Sequence, residues 1–338
     1  MEKLEALPPP PGVISSLQAG FNVVSSRMVL ILLPLVFDVF LWLGPRVSMG
    51  KLAGEVFQNW LKLSAQYGAP AQDLALISTN IPQITDNFTK LNILSRIWTF
   101  PIGVPILMLN LPDTLPLNTP LGVQTMIQVP SFLILSGLLI GLTVLGWIGG
   151  GLYFRLVAQA SLGESDSGIS LLRAWMQTAL LSVIWFVSYM IAIPPLMIVL
   201  LLLGAISPVV SQVVVFVLLL FAFWLVVPLF FTPHGIFIRR QNAFVSIMNS
   251  LRMSRFTLPT SGVFVMITFL LYIGLNYLWS VPSNDSWLML IGIAGHAFIS
   301  TMLLSASFVY YRDMTNWLQV VRERLQQLPG QRLPLKKI

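Results

Sequence analysis

The sequence predicts an all-α membrane fold, a polytopic bundle of six transmembrane helices, on three observations. Six long apolar stretches, about a third of the chain, hold one formal charge between them, Asp38. A bilayer core asks for about 20 apolar residues per helical crossing and makes each buried charge cost several kcal/mol, so such runs are not soluble core. Hydrophobic residues are 56% of the chain and charged residues 9%, against about 25% charged in soluble domains; mean hydropathy is +0.83. Finally, aromatic residues followed by arginine recur at Tyr153-Phe154-Arg155, Phe237-Ile238-Arg239 and Tyr310-Tyr311-Arg312, as expected where spans end at one interface.

Residues 1–27 form an N-terminal arm and an amphipathic helix: Met1 to Pro11 lacks a signal-peptide pattern, carries four prolines in a row and reads as a retained, extended arm. Span one is 28–43, with Pro34 expected to kink it. Residues 44–130 are an insertion on the far side. Leu52, Val56, Trp60 and Leu63 form one apolar stripe, and Ile77, Ile81, Ile84, Phe88 and Leu91 another. The expectation is two amphipathic helices that bury these stripes on each other or on the membrane, as a helical cap, with 111–130 returning as a proline-rich strap. Asn87-Phe88-Thr89 in this cap fits a glycosylation sequon. Spans two to six follow within 131–312, at 132–153, 180–203, 213–231, 263–278 and 288–309, and 313–338 is a basic amphipathic tail.

The segments entering spans one, three and five share the order β-branched, Ser, any, Leu or Met, polar, small, beginning at Ile14, Ile169 and Val245. This predicts three tandem hairpins, each preceded by a cytoplasmic amphipathic helix along the inner leaflet. Of the 19 lysines and arginines, 14 fall on the side that holds both chain ends. That excess places the termini in the cytoplasm and the protein in the cytoplasmic (inner) membrane, multi-pass. The net charge of +7 is scattered over short loops and the tail, so lipid headgroups, at Arg155, Arg239, Arg240 and Arg312, are the expected counter-ions, and nucleic acid is not.

Few residues carry chemistry. The absence of cysteine removes disulfides, thiolate metal sites and cysteine lipidation. With two histidines and no phosphate loop, metal-binding His pair or nucleophile elbow, we expect no metal, no cofactor, no catalytic residue and no enzyme. Counting along the spans puts Asp38 and His296 at similar depth, with Tyr189 and Asn276 in the same zone. This intramembrane polar cluster would serve either as a proton relay or solute site, or as a hydrogen-bonded pair that fixes helix packing. Gly137, Gly141, Gly146 and Gly150 form a small-residue ridge on span two, expected to admit the backbone of another helix, internal or from another subunit. Pro194, Pro195, Pro228 and Pro233 should bend spans three and four. A serine hydrolase pairing of Ser300 with His296 has no accompanying motif, and Ser305 and Ser307 are expected to bond to their own helix.

Phe231-Thr232-Pro233 at the end of a span, followed by Ala243, Ser246, Ser250 and Arg252, resembles the connection in uncharacterised six-span bacterial membrane proteins. Those are similar to the membrane domain of glycerophosphodiester phosphodiesterases. The resemblance covers about 171–311 and implies a helical membrane domain. Because the chain has the large insertion and only a tail after span six, phosphodiesterase activity is not implied. The function expected is an accessory or scaffold subunit of a membrane assembly, bound to membrane lipids and to a membrane-protein partner along span two or through the cap. The alternative is a transporter or channel-like component for a small solute or lipid, centred on Asp38 and His296.

Overall fold

The structure, a computed structural model, describes residues 8–109, 112, 115–163 and 168–327. The end of the tail, with Lys336 and Lys337, the start of the arm, three residues of the strap, residue 110 and residues 164–167 lie outside the described residues. Among the described residues the chain forms ten α-helices: α1 (Val13–Ser26), α2 (Leu32–Leu43), α3 (Gly50–Gln66), α4 (Ala71–Lys90), α5 (Phe132–Leu162), α6 (Leu171–Ile206), α7 (Pro208–Phe230), α8 (Thr232–Arg239), α9 (Ala243–Trp279) and α10 (Met289–Gln327). Four short strands, β1 (Arg46–Ser48), β2 (Asn118–Thr119), β3 (Gly122–Val123) and β4 (Met126–Gln128), pair as parallel β1–β4 and antiparallel β2–β3. Five helical segments among the described residues are long and apolar enough to cross a membrane, α7 and α8 together making one of them. A sixth crossing results if α1 and Met28–Leu43, bent by 94° at Arg27, count as one span. This is a polytopic, membrane-embedded helical fold.

Three predicted boundaries are corrected. The segments expected as separate amphipathic helices before spans three and five, and after span six, are continuous with those spans in α6, α9 and α10. No glycine or proline interrupts 171–180 or 310–327, and Pro259 lies within α9 without ending it. At 1.5 Å per residue α9 is about 55 Å long, well beyond the roughly 30 Å hydrocarbon core. Pro34 sits in the first turn of α2, just after a 3-10 turn over Met28–Ile31.

The chain divides into two compact units. The first comprises Met1–Leu30, Phe154–Ile273 and Ile299–Ile338. Its core is Val227, Phe231, Met253, Phe264, Val265, Tyr310, Tyr311 and Met314, with Phe264 and Tyr310 stacked at 4.0 Å. α9 faces this core with Ala243, Ser246, Ser250, Met253, Ser254, Thr257, Ser261, Phe264, Val265 and Thr268, all buried at helical spacing. Hydroxyl residues suit such a seam because they are small enough for close helix approach and bond within their own turn: Thr257 Oγ1 donates to the Met253 carbonyl (2.9 Å), and Thr268 Oγ1 to that of Phe264 (2.9 Å). α1 rests on α10 through Gly20, where a Cβ would lie 2.6 Å from the Ala306 amide nitrogen. The Trp317 indole donates to the Pro8 carbonyl (2.7 Å), tying the arm to the same helix. α6 and α7 form a hairpin whose apolar residues are largely exposed, among them Ile191, Ile198, Leu202, Val213 and Leu220.

The three motif serines have different surroundings. Ser15 is exposed and bonds to Gly12, Ser170 stands at the N-cap of α6, and Ser246 is buried and bonds to the Thr232 carbonyl. The sequence likeness is thus not matched by equivalent environments.

The second unit comprises Ile31–Tyr153 and Gly274–Phe298. α3 and α4 pack as a helical hairpin through Gly50 on Thr89, Gly54 on Thr85 and Phe57 on Phe88. Leu52 and Ile81 are buried, while Val56, Trp60 and Leu63 remain exposed. The predicted stripe on α3 is therefore only partly used within the hairpin.

Candidate functional site

Residues 93–109, part of the predicted far-side insertion, pack into the helical unit as a segment without α-helix, with 3-10 turns over Ile93–Ile97 and Leu107–Leu109. Asn92 starts it, its Oδ1 accepting from the Val47 (3.1 Å) and Leu94 (3.2 Å) amides. Ile93 packs with Val129 and Leu142, and Ile97 joins that cluster. Further along α5, a Cβ at Gly146 would be 2.4 Å from the Ile97 carbonyl oxygen, and one at Gly150 would be 2.7 Å from that of Ile102. The chain turns at Gly103, held by Thr99 Oγ1 donating to the Ile102 carbonyl (2.7 Å). It returns past Gly149 at Val104 to Leu107, which packs with Trp42, Met289 and Ile293. Ile102, Val104, Ile106 and Leu107 are all at most 2% exposed.

Gly146 and Gly150 stand about 21 and 27 Å along α5 from Phe132, within the length that crosses the bilayer. Residues 93–109 are thus a re-entrant segment of this unit, folding back beside the apolar length of α5. Non-helical backbone is tolerated at this depth only where protein encloses it, and the glycines supply the space. The small-residue ridge is thus divided in use: Gly146 and Gly150 receive loop backbone and not a helix, while a Cβ at Gly137 or Gly141 would meet nothing within 4 Å.

Asp38 is the fixing point of this segment. It is fully buried on α2, and its Oδ1 accepts from the Met108 amide (2.9 Å), while Oδ2 has no hydrogen-bond partner among the described residues. The end of α2 is held by Gln124, whose Nε2 donates to the Leu41 and Trp42 carbonyls (3.0 Å each), and by the Trp42 indole donating to Asn284 (2.8 Å). Arg46 follows, donating to the Lys90 carbonyl (2.5 Å); burial holds its guanidinium below its ordinary pKa.

Of the other predicted cluster residues, His296 is buried on α10 in the same unit, and Asn276 there has a buried Oδ1 without a partner among the described residues. Tyr189 belongs to the first unit and is 55% exposed. Asp38 has loop backbone as its bonded partner, not His296.

The predicted headgroup arginines divide as well. Arg155 Nε donates to the Ile169 carbonyl (2.7 Å), and Arg312 bonds Asp313 (2.8 Å) and the Ser161 carbonyl (3.2 Å), so both brace backbone near the end of α5. Arg239 and Arg240 are exposed, and the Arg240 carbonyl accepts from Arg173 (2.6 Å). The rings preceding these arginines do not form a lipid-facing belt: Tyr153, Phe154, Phe237, Tyr310 and Tyr311 are buried. Helical register turns them inward, and Phe154 meets Phe237 (5.6 Å) and Phe308 (6.0 Å).

Sequence reasoning missed one polar pair. His234 Nε2 lies 2.7 Å from Ser307 Oγ, linking α8 to α10 across a sequence separation of 73, with no motif to signal it. A histidine beside a serine has the makings of an activated nucleophile. Here both are at most 2% exposed beneath Phe230, Phe231, Phe308 and Tyr311, so the pair acts as a tie between helices. Ser161 and Ser305 make a second such tie at 2.9 Å. Among the described residues no group of three or more His, Asp or Glu is placed to hold a metal. Comparisons with protein-family models, with curated proteins and with solved structures find no match for this chain.

Proposed function

We propose that this membrane-embedded helical protein is a non-catalytic accessory or scaffold subunit of a membrane assembly, in the cytoplasmic membrane with both termini inside. The observation that carries this reading is the role of Asp38. The one carboxylate in the predicted spans is fully enclosed and holds the re-entrant segment by its backbone, so the ionisable group serves architecture. The exposed apolar α6–α7 hairpin leaves lateral surface for lipid or a partner. The orientation rests on the excess of lysine and arginine, and the resemblance to six-span bacterial membrane proteins agrees with it.

The test is mass. Solubilised gently from its own membranes, the full chain should run on a native gel above its mass with bound detergent and lipid, and one partner should be recovered by crosslinking from α6 or α7. A lone monomer at native abundance would refute the scaffold reading. Single cysteines at Trp60 and Arg322 should label from opposite sides of the membrane, and labelling from one side would refute the topology.

A transporter or channel-like role is the second reading, favoured by the Oδ2 of Asp38, partnerless among the described residues, beside a segment without α-helix. It expects Asp38→Asn to abolish solute flux in vesicles with insertion unchanged; the scaffold reading expects no flux to lose.

A further inference from the structure

We propose that the groove between α7 and α9 binds an anionic phospholipid of the adjoining leaflet, with a glycerol-type headgroup favoured over choline. The groove has a volume of about 310 Å³ and is lined by Trp224, Pro228, Leu251, Ser254, Arg255 and Leu258. This goes beyond the scaffold reading and depends only on the membrane fold.

Charge comes first. Arg255 is exposed at the groove, and Arg252, three residues earlier and so on a neighbouring position of the same helix side, is exposed as well. Residues 168–284 contain no Asp or Glu, so Arg252 and Arg255 have no acid within this stretch of the chain. A phosphodiester supplies the missing negative charge, and arginine matches its oxygens in pairs.

Two further features indicate a polar ligand on an otherwise apolar wall. Ser254 is 3% exposed, lines the groove, and its Oγ has no hydrogen-bond partner among the described residues. A buried hydroxyl left unpaired is costly unless something bonds it. The two prolines, Pro228 in α7 and Pro259 in α9, each lack the N–H that would close on the carbonyl four residues earlier. Those carbonyls belong to Trp224 and Arg255, both residues of the groove. The site thus combines donors for phosphate, at Arg255 and Ser254, with backbone acceptors that have lost their helical donors. A glycerol headgroup carries hydroxyls to supply those acceptors, whereas a choline carries none. Leu251 and Leu258 offer apolar wall for an acyl chain, and the Trp224 indole, 46% exposed, extends it. Basic pockets between helices are where such headgroups bind.

Native mass spectrometry of the full chain in detergent, titrated separately with phosphatidylglycerol, phosphatidylcholine and inorganic phosphate, tests this. One phosphatidylglycerol per chain should be retained more strongly than phosphatidylcholine. Arg255→Gln should weaken it about tenfold, and Leu251→Trp, which fills the groove and keeps the charge, should do likewise. Arg322→Gln, on the exposed tail helix, should change nothing. If either groove variant fails to give a folded, monodisperse protein, Ser254→Ala takes its place. Phosphatidylglycerol retention unchanged by the groove variants, equal retention of phosphatidylcholine, or displacement by equimolar inorganic phosphate would each overturn the proposal, the last by assigning the site to a free anion.

Discussion

Alanine at the four ridge glycines of α5 distinguishes a seat for the re-entrant segment from a general helix-packing surface. At Gly146 an added Cβ would lie 2.4 Å from the Ile97 carbonyl oxygen and 2.5 Å from Thr99 Cγ2. Reaching ordinary contact near 3.5 Å requires the segment to retreat by about 1.1 Å. At Gly150 the nearest atom is the Ile102 carbonyl oxygen at 2.7 Å, followed by Gly103 Cα at 3.0 Å, so a retreat of about 0.8 Å suffices. Backbone atoms on both sides cannot rotate away as a side-chain tip does. Overpacking of this kind costs about 1–3 kcal/mol, offset by roughly 0.8–1 kcal/mol of helix propensity gained on replacing glycine by alanine. The net expectation is a loss of about 1–2 kcal/mol for Gly146→Ala and about 0.5–1.5 kcal/mol for Gly150→Ala. At Gly137 and Gly141 nothing lies within 4 Å, so the propensity term stands alone and those variants should be neutral or stabilised by up to about 1 kcal/mol. Equilibrium unfolding in mixed micelles gives the four differences, and hydrogen exchange over residues 99–104 should quicken in the first two variants only. A Gly137→Ala variant as damaged as Gly146→Ala, or a silent Gly146→Ala, would refute the seating of the segment.

Other variants probe the ties in each unit. Asp38→Ala removes the acceptor of the Met108 amide and should cost about 1–3 kcal/mol, with faster exchange at Met108; Asp38→Asn keeps an acceptor oxygen and should cost less. Ser307→Ala leaves His234 Nε2 without its partner, for a loss of about 1–3 kcal/mol. Adding His234→Phe to it should recover most of that loss in the same unfolding assay, since an apolar ring among Phe230, Phe231 and Phe308 needs no bond. Gly20→Leu, whose Cβ alone would lie 2.6 Å from the Ala306 amide nitrogen and the Met302 carbonyl oxygen, should lift α1 from α10, seen as proteolysis within 12–26 at least several-fold faster than wild type.

Long apolar runs were enough to determine α5, α6, α7, α9 and α10 as crossing helices, because lipid rewards continuous hydrophobicity and a helix satisfies its own backbone. The helical hairpin α3–α4 was legible from its periodicity, and Asp38 from the cost of a charge in hydrocarbon. Tertiary structure decided what these elements do. Residues 93–109 carried a signal, an apolar run broken by Pro101, Gly103 and Pro105, but their place depends on gaps at Gly146 and Gly150, more than 40 residues later, which no local pattern encodes. The same holds for His234 with Ser307, for the arginines that brace backbone carbonyls, and for the interfacial-looking rings that turned inward. The physical reason is that hydropathy sets whether a segment prefers lipid, and is nearly blind to which face of it meets protein. That choice is made by shape, through small residues and a few hydrogen bonds, once the helices are side by side.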